Sequence, residues 1–248
     1  MADFKNYQNR MAQGHAQAGA MIDEGLRAYM LKVYNLMALG LAITGVAAFL
    51  TWQMAVADGQ LTGFGQMLYA SPLKWVIMLA PLGMVFFLSF RINSMSVAAA
   101  QMTFWIYAAM MGLSLSSIFL VFTGESIVQT FFVTAASFGA LSLYGYTTKK
   151  DLSGFGTFLI MGLFGLIIAS IVNIFLQSSA MGFAISVIGV LVFAGLTAYD
   201  TQKIKEMYWD GDEAVVAGRK AIMGALTLYL DFINLFMFLL QFLGNRNE

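Results

Sequence analysis

The chain has 248 residues, of which 60% are hydrophobic and only 10% charged, with thirteen basic and thirteen acidic side chains. Soluble domains carry about 25% charged residues, so this composition indicates an all-α bundle of membrane-spanning helices. Zero net charge gives no reason to expect a nucleic-acid partner, and the absence of cysteine excludes disulfides and thiolate metal sites.

In chain order, residues 1–30 read as a polar cytoplasmic tail and residues 31–248 as a seven-helix transmembrane domain. The tail lacks an apolar core followed by a small-residue cleavage site, so it is not expected to be a cleaved signal peptide. It is expected to turn helical around Asp23 to Lys32, and its His15 reads as a surface residue. The first span is predicted over Val33–Met54, followed by a Gly-rich loop, Asp58 to Gly65. The second covers Pro72–Phe90, with Pro81 inside it and Arg91 ending it. The third covers Val97–Phe122 and the fourth Ile127–Tyr146. A charged hinge, Lys149 to Asp151, precedes the fifth, Phe155–Leu176. The sixth, Met181–Tyr199, ends on Asp200, and Thr201 to Lys220 reads as a long polar loop before the seventh, Ala221–Gly244.

With seven spans, eleven of the thirteen lysines and arginines fall on one side, leaving Lys74 and Arg246 on the other. The positive-inside bias then predicts a cytoplasmic N-terminus and an outward C-terminus. Small residues within the spans, such as Gly112 with Ser116 and Gly189 with Gly195, suit close helix packing in lipid.

Three ionisable side chains carry the candidate chemistry. Asp231 stands near the middle of a segment of about 36 Å, where an ionised acid costs about 2.5 to 3.5 kcal/mol and must face protein or water. Asp200 stands at the cytoplasmic end of the sixth span and Arg91 at that of the second. Taken literally, the two acids differ by roughly 15 Å in depth, and they meet only if DTQKIKEMY continues the sixth helix. If they meet at about 3 Å, both cannot readily ionise, and the pair shares a proton. The ionised pair offers the hard oxygen ligands that suit Ca²⁺. Arg91 can hold one acid as a closed-state ion pair or simply mark the interface. Asp231 can also serve as a structural anchor, for instance to Asn234.

At these residues the sequence resembles the Bax inhibitor-1 family, on LTAYDTQKIK (Leu196 to Lys205) and LYLDFINLF (Leu228 to Phe236). LRAYMLKVYNLMALGLAITG (from Leu26), LSFRINSMS (from Leu88) and KKDLS (from Lys149) add to it. The resemblance, closest to the bacterial branch, implies six helices around a central seventh in the plasma (inner) membrane. It implies a pH-sensitive Ca²⁺ leak gated by Asp200 and Asp231, with Arg91 as the closed-state ion-pair partner and the two acids as Ca²⁺ ligands. No cofactor is expected, with Ca²⁺ as the ion transported or bound, and the expected partners are the lipid bilayer, Ca²⁺ and protons. The resemblance also implies an alternative: a non-enzymatic modulator of a membrane-anchored AAA protease, acting through the tail and the Thr201 to Lys220 loop. No His, Cys or Ser constellation supports an enzyme.

Overall fold

The computed structural model describes the backbone of residues 2–247 and the side chains of residues 24–247, so the reading of His15 lies outside the described residues. Among the described residues, seven helices are long and apolar enough to cross a membrane. They are α1 (Ala2–Ala55), α2 (Leu73–Arg91), α3 (Val97–Leu115), α4 (Gly124–Thr147), α5 (Ser153–Leu176), α6 (Ser179–Glu206) and α7 (Ala214–Leu243). The chain is therefore an all-α integral membrane protein, because in lipid only elements that satisfy their own backbone hydrogen bonds can span. α1 continues without a break across residue 30.

α7 is the central helix. It packs directly against α1, α3, α4 and α6, whereas α2 lies outside on α3 and α5 lies outside on α6. Its buried face is nearly continuous, including Ala221, Ile222, Ala225, Leu228, Tyr229, Leu235 and Leu240. Tyr229 marks the middle of this contact. Its ring meets those of Phe104 and Tyr107 edge-on, and its hydroxyl lies 2.6 Å from Thr44 Oγ1, so a polar pair ties α7 to α1 inside the membrane.

Helix boundaries depart from the sequence reading where they matter most. α6 runs on to Glu206, seven residues beyond Tyr199, and α7 starts at Ala214, seven residues before Ala221. The supposed polar loop Thr201 to Lys220 is thus mostly helix, with Met207 to Glu213 as the connection. These residues look polar because the turns project out of the apolar layer, while their backbones continue the helical ladder. Lys220 closes the connection by binding Asp212 Oδ2 at 2.6 Å and the Met207 carbonyl at 3.0 Å.

The connection after α1 is also more ordered than a Gly-rich loop. β1 (Val56–Ala57) and β2 (Gln60–Leu61) form a hairpin whose turn residues, Asp58 and Gly59, have φ of 51° and 74°. An Asp-Gly pair adopts the left-handed backbone such a two-residue hairpin turn demands. On the same face of the bundle, the C-terminal segment returns to the α3–α4 connection: Phe122 forms a single bridge with Arg246, and the Asn245 amide donates to Ser126 Oγ at 2.9 Å.

Candidate functional site

The antiparallel packing of α6 on α7 sets the geometry of the two acids. Ile204 lies against Gly224, where an added Cβ would come within 2.9 Å of it, and Phe238 lies against Gly189. Fifteen residues along α6 therefore match fourteen along α7. On this register Asp231 stands level with Thr197, three residues from Asp200, a rise of about 4.5 Å. One turn of helix replaces the 15 Å mismatch, because both helices extend toward the connection. Asp200 and Asp231 are thereby neighbours across the α6–α7 seam.

Their surroundings differ. Asp231 is 4% exposed, and its Oδ2 has no hydrogen-bond donor among the described residues. Asp200 is half-buried, with Lys203 the cation that acts on it from the next turn. Two carboxylates placed side by side with little solvent disfavour the state in which both carry negative charge. The anchor to Asn234 does not form, since the Asn234 amide donates to the Leu230 carbonyl at 2.8 Å. Arg91 is exposed at the end of α2 and makes no ion pair with either acid among the described residues; Lys220 with Asp212 is the ion pair found there.

Two polar groups beside Asp200 escaped the sequence reading. Thr201 Oγ1 lies 3.2 Å from Ser142 Oγ and joins α6 to α4. Gln202 accepts from the Leu152 amide at 2.9 Å and donates to the Lys150 carbonyl at 2.8 Å, fastening the α4–α5 connection to α6. Lys205 adds a bond to the Tyr146 carbonyl at 2.8 Å. Helical phase was the available signal: Gln202 and Lys205 are three residues apart on one face once α6 continues past Asp200.

Among the described residues no group of three or more His, Asp or Glu side chains can hold a metal ion.

A family model, the inhibitor of apoptosis-promoting Bax1, matches residues 26–248. The chain belongs to the Bax inhibitor-1 family. Within reach of this family lie a Rickettsia prowazekii protein, 51% identical over 91% of this chain and 93% of its own length, and a Caulobacter vibrioides protein, 48% identical over 94% of each. Inner membrane protein YbhL of Escherichia coli K12 is 48% identical over 90% of this chain and 93% of its own. Both aspartates and the helices that carry them fall inside the segment matched to the Bax inhibitor-1 family.

Proposed function

We propose that this family member is a pH-gated Ca²⁺ leak in a bacterial inner membrane, with Asp200 and Asp231 as its latch. The observation that supports this reading is that the α6–α7 register makes Asp200 and Asp231 neighbours across the seam, with Asp231 buried. With a proton between them the helices are held together; when it leaves, two like charges in a poorly solvated site repel and the seam loosens. Flux is thus expected to rise with pH. An Arg91 ion pair with either acid would require a second arrangement of α2. The name of the Escherichia coli relative supports the inner membrane, and the eleven-to-two split of basic residues supports a cytoplasmic N-terminus.

Ca²⁺ uptake into liposomes holding the purified protein checks the proposal. Asp200→Asn and Asp231→Asn, which cannot both be charged, are each expected to flatten the pH profile. Unchanged flux and unchanged profile in both variants would sink the latch. The rival reading, modulation of a membrane AAA protease, has less loop to work with than its sequence suggests, since Met207 to Glu213 is all that separates α6 from α7. Under that reading, removing residues 1–23 alters turnover of protease substrates in cells while both Asp→Asn proteins behave as wild type.

A further inference from the structure

A polar cavity of about 610 Å³ opens on the face that carries the C-terminus. Asn173, Gln177, Ser186, Gln241 and Arg246 contribute to its walls. At its floor Ser186, which is buried, donates to Gln241 Oε1 at 3.2 Å. This cavity sits on the same seam as the acids. On α7, Gln241, Phe238, Asn234 and Asp231 follow one another at steps of three, four and three, along one helical face. On α6 the matching levels are Ser186, Gly189, Phe193 and Thr197.

Rings occupy two adjacent levels of this row, Phe238 at Gly189 and Phe193 beside Asn234. The Phe238 ring lies flat in the notch left by Gly189, where an added Cβ would come within 2.6 Å of its carbons, and it stacks on Phe193 at 5.7 Å and 27°. Val192, Leu196, Leu235 and Leu239 are buried around these rings, and Thr197, Asp231 and Asp200 lie beyond this apolar stretch on the side of the α6–α7 connection. Stacked rings within an apolar stretch exclude water, and a hydrophobic constriction of this kind gates by dewetting.

We propose that the Ser186–Gln241 cavity is the mouth, on the C-terminal face, of a water path to the acid pair, and that Phe238 in the Gly189 notch is the plug that closes it. Its use as an ion path rests on the leak reading above; the plug itself rests on the packing. Loosening of the seam when the latch opens would draw the ring out of its notch, so the acids and the plug act in series.

The native chain has no cysteine, which allows a test that does not depend on flux. Ser186→Cys and Thr197→Cys are each placed singly in the full chain, in sealed vesicles with the C-terminal face outward, and exposed to a membrane-impermeant thiosulfonate. Ser186→Cys is expected to react and Thr197→Cys to be protected. Adding Phe238→Ala is expected to bring Thr197→Cys labelling up to the Ser186→Cys rate. Phe238→Leu, a smaller change of volume, is expected to give an intermediate rate and decides the matter if the alanine variant fails to fold. Protection of Ser186→Cys, or labelling of Thr197→Cys that does not respond to residue 238, overturns the plug. The two proposals fail separately: labelling as expected without Ca²⁺ flux removes the leak and keeps the plug, whereas flux that follows the acids without a Phe238 effect on labelling does the reverse.

Discussion

α5 and α7 are both long apolar helices, yet they occupy opposite environments. α5 has the highest hydropathy of the seven, and only 11% of its apolar window is buried in protein; for α7 the share is 67%. In a soluble protein the most apolar helix would be the innermost. Here lipid is the solvent, so apolarity carries no drive toward the centre, and what places α7 there is packing and polar contact: Tyr229 with Thr44, the burial of Asp231, and Gly224 and Gly189 letting α6 approach. The helix with the acid in it is the one that cannot face the bilayer.

The sharpest way to break this comparison is to make the same cut in both helices. Leu228, on α7, is fully buried and Ile168, near the middle of α5, is 62% exposed. Leu228→Ala should lower stability by about 2 to 5 kcal/mol through the cavity it leaves. Ile168→Ala should stay within about 0.5 kcal/mol, as lipid takes the vacated space. Unfolding in mixed micelles compares them, and equal losses would mean that α7 is not the packed centre.

A smaller effect is expected from Tyr229→Phe, which keeps the edge-on rings and deletes the hydroxyl that meets Thr44. A loss of about 0.5 to 1.5 kcal/mol follows for a buried hydrogen bond, nearer the lower figure in a bilayer. No loss at all would show that the rings alone hold α7 to α1.

The smallest effect belongs to the start of α5. Asp151 Oδ1 accepts from the Ser153 amide at 2.8 Å, and its carboxyl is held below the usual 3.8 by the Ser153 hydroxyl first and that amide second. A lowered carboxylate adds stability above the unfolded value and loses it as pH falls through the lower folded one. The melting difference between wild type and Asp151→Asn should therefore be present at neutral pH and shrink below about pH 4. A difference that grows in acid would contradict the assignment. Because Asp151 is fully exposed, the shift in melting should be slight.

What the sequence determined by itself was everything that follows from the cost of putting polar groups in hydrocarbon: the membrane class, seven spans, the segment that carries Asp231 and the need for that residue to be covered. Family membership, too, was legible in the two aspartate motifs. Tertiary structure alone decided where Asp200 and Asp231 stand relative to each other, because that depends on the α6–α7 register, which is set by Gly224 against Ile204 and Gly189 against Phe238. Hydropathy could not place the ends of those helices. Thr201 to Glu206 and Ala214 to Lys220 leave the apolar layer but keep their helical hydrogen bonds, so composition changes there and backbone conformation does not. The roles of Gln202 and Phe238 were hidden for the same reason: each acts through a neighbour distant in sequence, the α4–α5 connection for one and a glycine notch for the other.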